Sequence, residues 1–209
     1  MTTAIDTTTM TRDQLAESAA VLARAFDDDP LLEYILPPGD AGRGAKLEWF
    51  MGQGAKYGHN WGEVYTTAGK VDGNAIWLPP GGTKLTIPRM AQNGLLMAPF
   101  KFGMGAFNRF MNAMNFMEKI HHEKAPERHW YLMILGVDPP RQGQGVGGAL
   151  IQPILARADA EGLPCYLETN KTKNVPFYQR HGFEIVFEGD IPKGGPYAWT
   201  MKRPAKERA

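Results

Sequence analysis

The chain has 209 residues, 43% of them apolar, and its 23 basic and 22 acidic side chains leave a formal net charge of +1. These proportions describe one globular domain over residues 1–209 with a sizeable core, and they set up no overall field to attract nucleic acid or a membrane, so neither partner is expected. Cys165 is the only cysteine, which excludes an internal disulfide, and the first residues lack a basic-then-apolar secretory pattern, so the expected location is cytoplasmic.

Thr2, Thr3, Ile5, Thr7, Thr8 and Thr9 favour a short first strand, with a frayed tail as the alternative. Thr11 and Gln14 have capping-box form, and Leu15, Ala19, Leu22, Ala23 and Phe26 recur at helical spacing, which predicts a helix to about Phe26. Asp27-Asp28-Asp29-Pro30 ends it, and Leu31, Leu32, Ile35 and Leu36 begin a second short helix closed by Pro37-Pro38. Consecutive carboxylates diverge, so the aspartates read as a solvated, helix-capping turn and not as a metal site. Ala45 to Tyr57 is helical, and Trp61 to Thr67 with Asn74 to Leu78 form a hairpin that Pro79-Pro80-Gly81-Gly82 terminates.

Thr83 to Pro126 is a Met- and Phe-rich insertion in which Met90, Met97, Met104 and Met111 fall seven apart, with Met114 and Met117 added. Pro88, Pro99, Gly103 and Gly105 break it into two or three short helices and exclude a coiled coil. Two readings stand together: a methionine-filled core and a pliable apolar pocket. His121 and His122 are expected to be solvated at the polar end of this segment, and as neighbours they face different ways and form no metal site.

Trp130 to Val137 is nearly continuous in apolar character and reads as a central strand. After it, Asp138-Pro139-Pro140-Arg141-Gln142-Gly143-Gln144-Gly145-Val146-Gly147-Gly148 reads as an anion-binding loop, because glycines permit tight turns and the following helix aims unpaired N–H groups and its positive dipole end at the loop. No Gly-Lys-Ser/Thr is present, which removes a Walker A loop. Gly143, Gly145 and Gly148 fit a dinucleotide fingerprint with Glu168 as its ribose acid, but too little chain follows for the long alternating sheet of that fold. Val146, Ala149, Leu150, Ile154 and Ala158 mark the buried face of the helix after the loop, inside which Pro153 should cause a bend or break costing about 3 kcal/mol. Leu163 to Thr169 is a strand that the crossover makes parallel to Trp130–Val137. A short helix over Asn174 to His181, strands over Phe183 to Glu188 and Tyr197 to Lys202, and a basic tail complete the chain.

Val137-x-Pro139 followed by Gln142-x-x-Gly145-x-Gly147 resembles the acetyl-CoA signature of the GCN5-related N-acetyltransferases, and Asn174-Val175-Pro176-Phe177-Tyr178-Gln179-Arg180-His181-Gly182-Phe183 resembles that family's second block. Within the superfamily, the run Tyr166-Leu167-Glu168-Thr169 through Phe183 looks most like the puromycin N-acetyltransferase group. The resemblance covers roughly the last third of the chain. It implies an α/β fold of the α+β kind: a mixed, mostly antiparallel twisted sheet, one parallel strand pair splayed around acetyl-CoA, helices on both faces, and the insertion at about 83–126 preceding a coenzyme-binding core at about 129–203.

The same resemblance implies a set of roles. The backbone of Gln142, Gly143, Gln144, Gly145, Val146, Gly147 and Gly148 binds the pyrophosphate; Leu135 and Val137 pair with the pantetheine arm, and a backbone N–H near Leu135 serves the oxyanion. Tyr178 protonates the departing thiolate, against the alternative of an ordinary core tyrosine. Asn174 hydrogen-bonds the pantetheine or positions the Tyr178 helix, against a plain helix cap. Glu168 is a candidate base, although strand alternation does not say whether it faces the acceptor or anchors a loop. Asp29 and Tyr34 are candidates for contacting the acceptor amine, as are Phe107, Phe110 and Met111 of the insertion. The expected activity is acetyl transfer from acetyl-CoA to an amine of a small molecule, such as an antibiotic or other amino-bearing metabolite, by direct attack in a ternary complex, with no metal and in a monomer or homodimer. The alternatives are a protein or peptide N-acetyltransferase and a non-catalytic acyl-CoA sensor.

Overall fold

The computed structural model describes residues 5–84 and 86–206, in which seven strands form one sheet in the order β1-β2-β3-β4-β5-β7-β6. The strands are β1 (Thr7–Thr9), β2 (Glu63–Thr67), β3 (Gly73–Leu78), β4 (Trp130–Val137), β5 (Cys165–Thr169), β6 (Glu184–Asp190) and β7 (Tyr197–Arg203). The helices are α1 (Leu15–Ala25), α2 (Pro30–Ile35), α3 (Arg43–Trp61), α4 (Ile87–Asn93), α5 (Ala98–Phe102), α6 (Met104–Lys124), α7 (Val146–Glu161) and α8 (Val175–Arg180). Among the described residues, β4 and β5 form the one parallel pair, as the crossover through α7 requires. The threonines at 7–9 do pair with β2; Thr2 and Thr3 lie outside the described residues. The Thr11 backbone N–H donates to Gln14 Oε1 at 3.0 Å, completing the expected capping box ahead of α1.

Apolar residues cover both faces of the sheet. On one face, Leu150, Ile151, Ile154 and Leu155 of α7 pack on Trp77, Trp130, Leu132, Leu167 and Met201. On the other, Leu22 of α1, Leu32 of α2, Leu47 and Met51 of α3 and Phe110 of α6 pack on Val64 and Ile76. Gly136 is a point of close approach there: a Cβ at this position would lie 2.5 Å from Leu22 Cδ2 and 3.0 Å from Phe26 Cε2, so a larger residue would push α1 off β4.

Three sequence expectations are corrected. The segment divides into three α-helices with a turn at Gly103, as expected, but Pro88 and Pro99 sit in the first turns of α4 and α5, Gly105 lies inside α6, and α6 runs unbroken for 21 residues where only short helices were expected. The methionine series does not form one core: Met97 and Met104 are 50% and 60% exposed, because left-handed Gly94 and the turn at Gly103 reset the helix axis between them. Of the bend or break expected at Pro153, the break does not occur: the residue lies within α7, which continues to Glu161. No helix among the described residues is long and apolar enough to cross a membrane.

Candidate active site

β4 creates the opening around which the site is built. Its partners across β3 are Ile134 for Ile76 and Leu132 for Trp77, so Met133 is an extra residue that bulges and bends the strand. Pairing with β5 stops at the same place, running only from Trp130↔Cys165 to Leu132↔Leu167. Beyond it the strands splay, and Met133 to Val137 present a backbone edge with no strand on that side. Met133, Ile134 and Leu135 are accordingly only half-buried although the strand is central.

Two cavities meet at this gap. The first, of about 630 Å³, is bordered by Leu135, Val137, Gln142, Gly143, Gly145, Val146, Gly147, Gly148, Asn174 and Tyr178. Thus every residue the sequence assigned to the coenzyme borders it except Gln144. That side chain is exposed and turned back into the loop, donating to Pro140 O at 2.9 Å and accepting from Arg141 Nη1 at 2.9 Å. Gly143 and Gly145 have φ of +73° and +87°, the left-handed values that a loop folded over a helix N-terminus needs and that other residues rarely adopt. Gln142 braces the loop by donating from Nε2 to Val137 O at 3.0 Å. Arg141, Lys171, Lys173 and Arg180 surround the same cavity. Sequence reasoning missed these cations; the available signal was Lys171-x-Lys173 between β5 and α8 in a chain of nearly balanced charge. A glycine loop at the N-terminus of α7, a free strand edge and flanking cations fit a pyrophosphate joined to an extended amide-bearing arm.

The second cavity, of about 230 Å³, lies over β4 and β5 beneath α2, α3 and α6. Its walls are mostly apolar, including Leu31, Phe50, Met51, Phe110, Met114 and Met117, with Glu168, Glu118 and His121 at one side. Phe110, Ala113, Met114, Met117, Glu118 and His121 recur at helical spacing, which fixes the face of α6 that lines it. Phe107 and Met111 do not border the cavity and pack against the core instead, so of the three insertion residues picked from sequence only Phe110 reaches it. Tyr34 is also absent from the lining: its hydroxyl donates to Lys193 O at 3.2 Å and accepts from Asn112 Nδ2 at 3.3 Å.

Phe26, Asp29, Leu135, Asn174 and Tyr178 border both cavities and mark the junction. Asp29 is buried at 7% exposure, not solvated like the rest of its turn. It caps α2 by accepting from the N–H groups of Leu31 (3.0 Å) and Leu32 (3.4 Å), while burial raises its carboxyl above the usual range against the pull of Lys171. Tyr178 is buried, and burial first and the Asp29 charge second push its hydroxyl upward, so it stays protonated. Asn174 makes no side-chain cap; its Nδ2 donates to Thr169 Oγ1 at 3.2 Å, joining the start of α8 to the end of β5.

Glu168 points into the second cavity. Desolvation pushes its carboxyl up to about 8, with Glu118 adding to the rise and the nearby hydroxyls of Tyr131 and Tyr166 opposing it. His121, expected to be solvated, is 7% exposed, because Tyr166 of β5 stacks on its ring at 4.1 Å and 14°; His122 is exposed as expected. Cys165 is buried, and burial raises its thiol to about 12, which leaves it inert as a nucleophile. Among the described residues, no group of three or more His, Cys, Asp or Glu is placed to hold a metal ion.

Residues 110–185 match the family model of the acetyltransferase (GNAT) domain. An uncharacterized N-acetyltransferase of Schizosaccharomyces pombe is 31% identical over 171 residues, which cover 80% of this chain and 69% of the relative. Among solved structures, a protein from Corynebacterium glutamicum described as histone acetyltransferase HPA2 and related acetyltransferase aligns with a TM-score of 0.71 at 24% identity over 98% of both chains. Arylalkylamine N-acetyltransferase 2 from Aedes aegypti gives 0.62 at 15% identity over 97% of this chain and 99% of that one. The polyamine N-acetyltransferase of Drosophila melanogaster, which forms N-acetylagmatine, gives 0.61 at 14% identity over 96% of this chain and 100% of that one. The solved structures share the fold, and the yeast relative carries the family: this chain belongs to the GCN5-related N-acetyltransferases, acyltransferases whose co-substrate is acetyl-CoA.

Proposed function

We propose that the protein acetylates the amine of a small, largely apolar molecule. The observation that carries this reading is the apolar cavity of about 230 Å³, which joins the glycine-loop cavity at Asp29 and Tyr178 and has a carboxyl, Glu168, in its wall. A space of that volume suits one arylalkyl or alkyl amine and not a peptide segment. Glu118, exposed on α6 at the same cavity, places negative charge where a cationic amine enters.

Acetyl-CoA brings the activated acetyl thioester. The loop over Gln142 to Gly148 and the N-terminus of α7 hold its pyrophosphate, with Arg141, Lys171, Lys173 and Arg180 supplying charge; the free edge of β4 at Leu135 and Val137 and the Asn174 amide orient the arm. Glu168 takes a proton from the acceptor's ammonium, and its raised pKa brings it toward that of an alkyl amine, which eases the transfer. Tyr178, protonated at every working pH, donates its hydroxyl proton to the departing sulfur. Asp29 faces the same junction and attracts the ammonium before it is deprotonated. The run from Tyr166 to Phe183, with its likeness to the puromycin N-acetyltransferase group, makes amino-bearing antibiotics one acceptor class within this reading.

The test is an intact-mass screen with acetyl-CoA against arylalkylamines, polyamines, amino-bearing antibiotics and peptides with free N-termini. Acetylation of apolar amines with kcat/KM well above that for peptides supports the reading. Preferential acetylation of peptides, or acetyl-CoA binding without turnover of any amine, overturns it.

A further inference from the structure

α6 and the turn before β4 bring two buried histidines together behind Glu168. His121 Nε2 and His129 Nε2 are 2.7 Å apart, and His129 Nδ1 is 2.7 Å from the Glu127 carbonyl oxygen. A carbonyl only accepts, so the His129 hydrogen is on Nδ1. The rings are 7% and 4% exposed, and burial disfavours the charged form of each, so each carries a single hydrogen. His129 Nε2 is therefore bare, and the hydrogen in the contact between the rings belongs to His121 Nε2. His121 Nδ1 is then bare as well, and it faces Glu168 Oε1 at 3.7 Å.

We propose that His129, acting through His121, is a positioning residue that keeps a bare ring nitrogen facing the Glu168 carboxyl, so that the protonated acid finds a hydrogen-bond acceptor there and the carboxylate finds no donor. The inference rests on the reading of Glu168 as the base. When the acceptor's N–H bond breaks, its electron pair stays on the amine nitrogen for attack and its proton bonds to a Glu168 oxygen. A small rotation of the carboxyl closes the 3.7 Å gap to a hydrogen bond on His121 Nδ1. The pair thereby favours the state that Glu168 reaches after taking the proton. Other groups act on the same atoms: Tyr131 from β4 and Tyr166 from β5 favour the carboxylate, and Glu118 from α6 disfavours it. On the histidines, His122 of α6 acts on His121, while Glu127 and Lys202 of β7, themselves an ion pair, act on His129 in opposite senses.

The experiment reads hydrogens and midpoints, not only rates. Ring-nitrogen NMR of the wild-type protein should show His129 carrying hydrogen on Nδ1 and His121 on Nε2; hydrogen on His121 Nδ1 overturns the proposal. Carboxyl-carbon NMR should then follow the Glu168 titration in two variants. His129→Phe frees His121 to move its hydrogen to Nδ1 and donate to the carboxylate, lowering the Glu168 midpoint by about one pH unit. His129→Gln, whose amide oxygen can accept from His121 Nε2–H, should keep the wild-type midpoint. Equal shifts in both variants, or none in His129→Phe, overturn the proposal, and should His129→Phe fail to fold the wild-type ring nitrogens decide alone. Full activity in Glu168→Gln would remove Glu168 as base, yet tautomers and midpoints are read without turnover, so the two failures are separable.

Discussion

Arg24 grips Asp138 with two parallel hydrogen bonds, Nε to Oδ1 at 2.8 Å and Nη2 to Oδ2 at 3.0 Å, tying α1 to the first residue after β4. The hydrogen bond and charge of Arg24 hold the Asp138 carboxyl below the usual carboxylate range, and the Asp138 carbonyl accepts from Arg141 N at 2.8 Å where the glycine loop begins. Asp138→Asn should raise KM for acetyl-CoA severalfold while leaving kcat at saturation near wild type. Because the Arg24 side chain is 52% exposed, solvent screens the pair and thermal unfolding should fall by only a few degrees. Steady-state kinetics with acetyl-CoA varied checks this; an unchanged KM would uncouple α1 from the loop.

Tyr178→Phe removes the hydroxyl at the junction and keeps the buried ring, so kcat should fall roughly ten- to a thousandfold with acetyl-CoA affinity little altered. Single-turnover rates beside calorimetric binding make the comparison. A variant with wild-type chemistry would return Tyr178 to the core of α8.

The cavity lining separates residues of α6 that sequence alone treats as equivalent. Phe110→Ala and Met114→Ala should raise KM for a good amine, each lost contact being worth about 1.5–3 kcal/mol at most, without affecting acetyl-CoA binding. Phe107→Ala and Met111→Ala should lower stability and leave acceptor selectivity intact. Kinetics across several amines, read beside thermal unfolding, distinguish the pairs; selectivity changes from Met111→Ala matching those from Phe110→Ala would refute the assignment.

Stability should depend on pH in a way that Glu168 dominates on the alkaline side. Its carboxyl moves from an ordinary 4.5 up to about 8 on folding, so the folded state holds a proton that the unfolded state has lost. Its contribution is fully present below about 4.5 and is lost as pH rises through about 8, with a slope approaching about 1.4 kcal/mol per pH unit. Burial lowers His121 to about 3, so that group works in the opposite sense: its stability is lost as pH falls below 6.5 toward about 3. Denaturant melts over a pH series should show Glu168→Gln removing the alkaline decline and leaving the acid one. An alkaline decline of the same slope in Glu168→Gln would mean that another group carries it.

Elements governed by neighbours in sequence were legible in the sequence. Thr11 and Gln14 announced the start of α1, and the glycine run before Val146 announced a left-handed loop at a helix N-terminus, because caps and left-handed turns depend on residues within one turn of chain. The residues bordering the larger cavity followed from those local rules together with the resemblance. Positions set by packing between distant segments were not legible. His121 sits among charged residues at the end of α6 and reads as solvated, yet Tyr166 and His129 bury it. The seven-residue spacing of the methionines suggested a common face, but that spacing has meaning only along one uninterrupted helix, and the turns at Gly94 and Gly103 break the axis. Whether Glu168 borders the apolar cavity depended on which face of β5 lies beneath α6. Strand alternation divides the side chains into two sets, and only the helices laid over the sheet decide which set lines the cavity.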